Sequence, residues 1–473
     1  MLTNIKNLLL KPNKVLQSIY IIVFRVLLDY MYYNIVSPLY SYIGMTAEQS
    51  TFYYMVSWIM VICYILMMFT IIDVEKNGAV VLSIILICSA VPTTTIVAFL
   101  GHNLEFAVLN VLYWFFMVAF YKHKGRKIVL GKNTIKRSSL LIYAVFLFFA
   151  AVLLLICVAY TGIHVSFNLY DVYGTRAAFK SDKLPTILQY LFSACIIVFP
   201  VIIVYGLNKK KRILALAATI CQLLAFFADG RKSTIFVLIA TILGYYFIHN
   251  LTARMIPAIM MGVTVIGFIE KICIGTENFI NLGARRLFLV TAYLQYAYFD
   301  FFSNNVKDYF RQSIVGRLGF SSPYTKDIPT LVGGQYYVNN SYANNGLFAD
   351  AYSNFGAVGV VILPILIVCA LKLLDRVCEG LTSGICMGII IVSAYTLLSS
   401  SFFTVMLTHG FLLGCIIIYL VPRFSYQRDV VVENEGMKRK YDDKKSITIV
   451  CQDIITINMF LKNYLKAYQI KVS

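Results

Sequence analysis

The chain has 473 residues, of which 60% are hydrophobic and 13% are charged, and its mean hydropathy is +0.77. Soluble domains are roughly half apolar and about a quarter charged, so this composition excludes an ordinary cytosolic enzyme, a disordered chain and a small secreted scaffold. The apolar residues form long runs, which is typical of bilayer-spanning helices. We therefore expect an all-α integral membrane protein that crosses the membrane many times.

The net charge of +19 comes from 41 basic and 22 acidic residues. The basic residues lie mainly in short polar gaps between apolar runs, as the positive-inside rule requires. No nucleic-acid-binding motif accompanies them. The charge therefore indicates membrane orientation, and we expect no nucleic-acid partner.

A helix needs about 20 apolar residues to cross about 30 Å of hydrocarbon. On that measure we predict twelve spans, which in chain order are Val15–Val36, Phe52–Ile72, Ala79–Leu100, Phe106–Tyr121, Leu140–Thr161, Thr186–Gly206, Ile213–Phe227, Thr234–Ile248, Ile256–Ile274, Phe355–Leu371, Leu381–Leu397 and Phe402–Val421.

The basic residues predict that both termini are cytoplasmic. The first apolar run follows Lys6, Lys11 and Lys14 without a small-residue cleavage site, which is typical of a retained anchor. Basic residues recur in the gap 122–139, in the gap 209–212 and in the tail, whereas the first two external gaps contain none. We expect a transmembrane domain over 1–421 and a charged cytoplasmic tail over 422–473.

Two predicted external segments are longer than a connector needs to be. Residues 163–185 join spans five and six, and residues 275–354 join spans nine and ten. The second is the large extracytoplasmic loop of the predicted fold, and chemistry is expected there.

Spans seven and eight are joined by Asp229-Gly230-Arg231-Lys232, and together they are short for two crossings. The turn is thus expected to lie slightly below the outer surface. Arg231 has two interpretations there: a clamp for a phosphate group, or a turn neutralised by its own Asp229.

The large loop combines arginines with many aromatic residues. A planar guanidinium suits pyrophosphate because it makes bidentate, charge-assisted hydrogen bonds, and the arginines expected to face outward are Arg176, Arg231, Arg285, Arg286 and Arg317. The aromatic run in Leu287–Phe302 could stack on sugars. For that stretch we favour an interfacial belt or a re-entrant helix.

Arg25, Asp29 and His409 are ionisable residues that fall inside predicted spans. Arg25 and Asp29 are one helical turn apart, which favours an ion pair. His409 is either a base that faces a cavity or, more simply, a histidine satisfied by a neighbouring helix. No nucleotide-binding loop or metal-binding motif is present, so we expect no ATP-driven activity and no cofactor.

The segment Val332–Gly359 resembles the sequence that precedes a late span in Wzy-type oligosaccharide repeat-unit polymerases. The matching positions are Asn345, Gly346, Asp350, Tyr352, Phe355, Gly356 and Gly359. The run Arg285-Arg286-Leu-Phe, the stretch Tyr298–Ser303 and the turn Asp229–Ser233 are similar to further segments of that family. The Arg-x10-Gly pattern of some members is absent.

The resemblance implies a GT-C-like glycosyltransferase of the bacterial cytoplasmic membrane. Such an enzyme transfers a growing glycan from undecaprenyl pyrophosphate onto a lipid-linked repeat unit at the outer face. The arginines would stabilise the departing pyrophosphate, and Asp300, Asp350 or His409 would accept the proton of the acceptor hydroxyl. For Asp350, a helix-capping role is an equal alternative. Membrane lipid and a chain-length regulator are the further partners that the resemblance implies.

Two other functions remain open at this point. An O-antigen-type ligase uses the same donor with another acceptor. A flippase for lipid-linked oligosaccharides would favour repeated halves and charges spread through the spans, whereas here the ionisable groups concentrate in outer loops. O-antigen, capsule and exopolysaccharide all remain open as the product.

Overall fold

The computed structural model describes residues 12–123, 139–161, 184–247, 251–336, 342–381 and 383–422, and the tail lies outside them. All regular secondary structure in these ranges is helical. The α-helices of eight or more residues, which we number in chain order, are α1 Lys14–Met31, α2 Thr51–Ile71, α3 Asn77–Ile85, α4 Val91–Phe99, α5 Leu104–Lys122, α6 Ser139–Ile156, α7 Thr186–Asn208, α8 Arg212–Asp229, α9 Lys232–Phe247, α10 Ile256–Cys273, α11 Val290–Ser303, α12 Ile328–Tyr336, α13 Phe348–Phe355, α14 Gly359–Cys378, α15 Ser383–Ser399 and α16 Phe411–Leu420.

Nine helical segments within the described ranges are long and apolar enough to cross a membrane. Three shorter apolar helices, Thr234–Tyr246, Gly384–Ser399 and Phe411–Leu420, fall where the eighth, eleventh and twelfth spans were predicted. The all-α, multi-pass character is therefore confirmed, whereas the count of twelve spans stays a prediction.

Several helices have bounds that hydropathy could not give. The first apolar helix passes through a π-helical segment over Tyr32–Val36 and continues to Ile43. The predicted tenth span, Phe355–Leu371, corresponds to α14, which a turn at Gly356–Val358 separates from α13. A Cβ on Gly359 would clash with the carbonyl oxygen of Ala351, so this turn requires glycine.

Side-chain contacts identify the two ends of the helical bundle. At the first, Asp375 in α14 accepts hydrogen bonds from the Gly78 amide at the start of α3 and from the Tyr121 hydroxyl at the end of α5. The second carries the start of α5 and residues 304–327, and we call it the loop end. Neighbouring helices thus run in alternating directions, as the hairpin connections require.

The segment 275–303 is packed into the bundle. Within it, Ile280–Leu289 is π-helical and leads directly into α11. Buried Gln295 of α11 donates to the Ser89 hydroxyl at 2.6 Å and accepts from Asn110 of α5 at 3.1 Å, and Asn110 in turn accepts from Tyr64 of α2 at 2.8 Å. These buried amides and hydroxyls satisfy one another, so α11 is fixed against α5 and against the segment between α3 and α4.

Candidate functional site

His409 lies in a break between the last two helices at the loop end. Residues Ser400–Gly410 follow α15, form a π-helical turn over Thr404–Thr408 and end at Gly410, whose φ of 75° reverses the chain before α16. The His409 imidazole Nε2 lies 2.8 Å from the Ser400 hydroxyl. This agrees with the simpler of the two interpretations, a histidine satisfied by its surroundings.

Asp350 connects α13 to that same break. Its side chain is buried, with 5% of the residue exposed. One carboxylate oxygen accepts the backbone N–H of Phe402 at 2.7 Å, and the other accepts the Asn354 amide at 2.9 Å. Asp350 therefore caps a helix, but the helix is the turn that begins at Phe402 and not its own α13.

The loop over residues 304–327 docks against α13 through an unusual backbone. Tyr309 and Phe310 have φ angles of 54° and 58°, a conformation that non-glycine residues rarely adopt. The Phe310 amide donates to the Asn354 side chain at 2.6 Å. Its ring lies between those of Phe355 and Phe403, with centroids 5.2 and 4.9 Å away. One aromatic side chain thus joins the loop, α13 and the His409 break.

Arg231 follows α8 at the loop end. Gly230 ends that helix in the left-handed conformation, and the Arg231 amide donates to the Asp229 carboxylate at 2.8 Å. The Arg231 guanidinium Nε lies 3.0 Å from the other Asp229 oxygen. The ion pair of the simpler interpretation is therefore present, yet the Arg231 side chain keeps 30% of its surface exposed while Asp229 keeps 1%.

Arg231 and His409 lie close enough to interact electrostatically. The structure therefore brings together Arg231, His409 and, through Phe402, Asp350. These residues come from three segments that are far apart in the sequence.

Asp300 lies elsewhere, on the partly exposed side of α11. The Tyr336 hydroxyl of α12 donates to its carboxylate at 2.5 Å. Burial, and next this hydrogen bond, raise the pKa of Tyr336 above its ordinary value. Since a phenol that stays protonated keeps donating, Tyr336 occupies one carboxylate oxygen of Asp300 over the whole physiological pH range.

The aromatic run of α11 faces mainly into the protein. Tyr293, Tyr298, Phe299 and Phe302 are buried. The Tyr298 hydroxyl donates to the Ala343 carbonyl at 2.8 Å. These four rings are packing residues, as expected for a helix inserted among others, and they are not free to stack on a sugar.

The other predicted arginines have separate environments. Arg285 stacks on the Tyr40 ring at 4.0 Å, and its buried Nε has no hydrogen-bond partner among the described residues. Arg286 is exposed. Arg317 donates to the Tyr190 hydroxyl of α7 at 2.6 Å. Arg176 lies outside the described residues.

Lys307 is a cation at the loop end that the sequence did not single out. Its ammonium group donates to the Phe302 carbonyl and lies 5.0 Å from the centre of the Tyr352 ring. Desolvation lowers the pKa of Lys307, and the charge of Glu105 acts in the opposite direction. Lys307 thus ties the loop to α11 and α13.

Four residues that matter to this arrangement were not predicted: Ser400, Phe402, Asn354 and Tyr336. Phe402 contributes a backbone amide, for which side-chain identity gives no signal. The close approach to the break does have a sequence signal, which is Gly346 in the segment Val332–Gly359. A Cβ on Gly346 would clash with the carbonyl oxygens of Leu397 and Ser400.

Neither a metal site among the described residues nor a similar protein assigns a function to this end of the bundle. Within the ranges that the structure describes, no group of three or more His, Cys, Asp or Glu residues could hold a metal ion. Comparison of the chain with protein-family models, with curated proteins and with solved structures finds no match. The functional argument therefore depends on the sequence resemblance and on the contacts above.

Proposed function

We propose that the chain is a polysaccharide repeat-unit polymerase of the bacterial cytoplasmic membrane. It transfers a growing glycan from undecaprenyl pyrophosphate onto a lipid-linked repeat unit at the outer face, with both termini of the chain cytoplasmic. In this proposal the loop end is the outer end. The polymer is an O-antigen, a capsule or an exopolysaccharide.

The observation that carries the proposal is that Arg231 and His409 both lie at the loop end, near enough to interact electrostatically. A partly exposed guanidinium is available to a phosphate oxygen while Asp229 fixes its position. An imidazole in its neutral form has a lone pair that can accept a proton, and His409 supplies an imidazole at this end. An anion-binding group and a proton acceptor are the two functions that glycosyl transfer from a lipid pyrophosphate needs.

The reaction requires no external energy source. The oxygen of the acceptor hydroxyl attacks the anomeric carbon of the donor glycan, and the bond from that carbon to the pyrophosphate oxygen breaks. Undecaprenyl pyrophosphate leaves with the bonding electrons, and its developing negative charge is stabilised by Arg231. The proton of the hydroxyl passes to His409, and Asp300 is the alternative acceptor.

Polymerisation in proteoliposomes tests this proposal. The purified protein is given undecaprenyl-pyrophosphate-linked repeat unit without nucleotide, and products are separated by size. We expect a ladder of products that collapses in Arg231→Ala. The matched control is Arg254→Ala, which should leave the ladder intact. It removes a partly exposed arginine at the opposite end of the bundle, whose Nη2 lies 2.5 Å from the Asp73 carboxylate.

The alternatives give different results in the same assay. Transfer of the glycan to another acceptor without lengthening would indicate a ligase. Movement of labelled lipid across the bilayer without any transfer would sink the polymerase and favour a flippase.

A further inference from the structure

We propose that Asp350 is a positioning residue: its carboxylate holds the Ser400–Gly410 break, and with it the Ser400–His409 pair, and does not itself accept the proton of the reaction. The inference rests on the proposed function for the reaction that His409 serves. The physical hold on the break stands independently of it.

The hold begins at a helix start that needs a partner. The first backbone N–H groups of a helix have no acceptor within the helix, and Phe402 is the first residue of the turn that leads to His409. Asp350 supplies that acceptor from 52 positions away, at 2.7 Å. A carboxylate suits this position because the start of a helix carries partial positive charge.

The second carboxylate oxygen is also engaged. Asn354 donates to it at 2.9 Å and donates to the Asp350 backbone carbonyl at 2.8 Å. The side-chain oxygen of Asn354 in turn accepts the backbone N–H of the strained residue Phe310. Asp350 and Asn354 therefore form one buried unit that links the loop to the break.

This geometry argues against Asp350 as the proton acceptor. A general base must come within hydrogen-bond reach of the substrate hydroxyl. Asp350 is 5% exposed, and each of its oxygens already accepts an N–H from the protein. His409, in contrast, engages one ring nitrogen with the hydroxyl of Ser400.

Hydrogen–deuterium exchange of the full-length protein in nanodiscs tests the physical hold without any substrate. In Asp350→Ala the peptide that covers residues 400–410 should exchange about tenfold faster, because a capped N–H loses its acceptor. The matched control is Asp375→Ala, which removes a carboxylate that accepts the Gly78 amide at the same distance of 2.7 Å at the opposite end of the bundle. Unchanged exchange at 400–410 in Asp350→Ala would overturn the proposal.

Swapping the side chains of positions 350 and 354 separates a positioning role from proton transfer. Asp350→Asn alone keeps an oxygen for Phe402 but turns an amide N–H towards the N–H of Asn354. Adding Asn354→Asp restores complementary side chains, because the amide now at position 350 can donate to the carboxylate now at position 354, whose second oxygen accepts the Phe310 amide. The backbone carbonyl of residue 350 loses its Asn354 donor but keeps the Ser353 hydroxyl as a donor. If Asp350 is a positioning residue, kcat should fall about tenfold in the single variant and recover to within about threefold in the double variant, with KM little changed.

A proton acceptor would behave differently. An amide cannot take up a proton, so kcat would fall by about 10²–10⁴ in the single and the double variant alike. That result, with exchange at 400–410 restored in the double variant, would overturn the positioning role. If wild-type protein forms no ladder, the proposed function fails, and the exchange measurement still decides whether Asp350 holds the break.

Discussion

Two arginine–aspartate pairs in this protein differ in what surrounds the arginine. Arg25 and Asp29 lie one turn apart on α1, and the Arg25 side chain is fully buried. Arg231 and Asp229 flank a glycine turn at the loop end, where the aspartate is buried and the arginine is partly exposed. The residue types are the same, but the two guanidinium groups differ in whether N–H donors remain available to a ligand.

Each nitrogen of the Arg25 guanidinium contacts another group of the protein: Nη1 forms the ion pair with Asp29, and Nε and Nη2 donate hydrogen bonds. It donates to the Thr94 hydroxyl at 2.5 Å, to the Thr94 carbonyl at 3.1 Å and to the Ser57 hydroxyl at 3.1 Å. It also lies 5.6 Å from the centre of the Trp58 ring. This pair joins α1 to α2 and α4, and its surroundings give it a structural role.

Arg231 contacts its aspartate through Nε and keeps part of its surface exposed, and it interacts electrostatically with His409. The comparison therefore shows that sequence spacing can reveal an ion pair, whereas exposure of the arginine decides whether a ligand can reach it.

The largest effect is expected for Arg25→Met. The substitution leaves Asp29 as a buried carboxylate without its partner, which destabilises proteins by about 3–5 kcal/mol. The measurement is thermal unfolding of detergent-solubilised protein, followed by size-exclusion chromatography. Arg25→Met with Asp29→Leu should recover most of the loss, since no charge is then left unpaired, and a single variant as stable as wild type would show that the pair is not structural.

His409→Gln should leave the fold intact and reduce activity. Glutamine can keep a hydrogen bond to Ser400 but cannot accept a proton, so we expect kcat for polymerisation to fall by about 10²–10⁴. Thermal unfolding serves as the control for folding. Full activity in His409→Gln would transfer the role of proton acceptor to Asp300, which Asp300→Asn would then test.

Arg231→Ala should have a smaller effect on activity than the loss of the base. Removal of one group that stabilises a developing oxyanion costs about 10²–10³ in kcat. Arg231→Lys should recover only part of this, because lysine keeps the charge but not the planar fork. Turnover rates at saturating donor measure both, and equal losses in Arg254→Ala would mean that the effect is not specific to the loop end.

The sequence predicted the helices well because a bilayer span is a local property. Every apolar run within the described residues became a helix, and the Arg25–Asp29 contact is confirmed because its i, i+4 spacing on one helix brings the two residues together. The breaks at Gly356 and Gly410 were not predicted, since they depend on backbone turns between apolar residues.

The assembly of the site could be predicted only in part. His409 and Arg231 were identified as residues, but the sequence has no means of showing that Asp350 reaches the amide of Phe402 or that Tyr336 reaches Asp300. Both contacts join segments whose relative positions are set by packing of the whole bundle. The glycine at position 346 marked one such close approach without identifying its partner.

The smallest effect is expected for Tyr298→Phe. The change removes the hydrogen bond from α11 to the Ala343 carbonyl and leaves a buried acceptor unsatisfied, so stability should fall by about 1–3 kcal/mol. KM for the lipid-linked substrate should not change, because the hydroxyl that is removed is buried and contacts the protein. Tyr309→Ala provides the comparison, because it removes a ring that is exposed on the loop. A rise in KM for Tyr298→Phe without a loss of stability would return Tyr298 to a role in sugar binding, since a hydroxyl that contacts the substrate can alter its affinity in a fold that is otherwise unchanged.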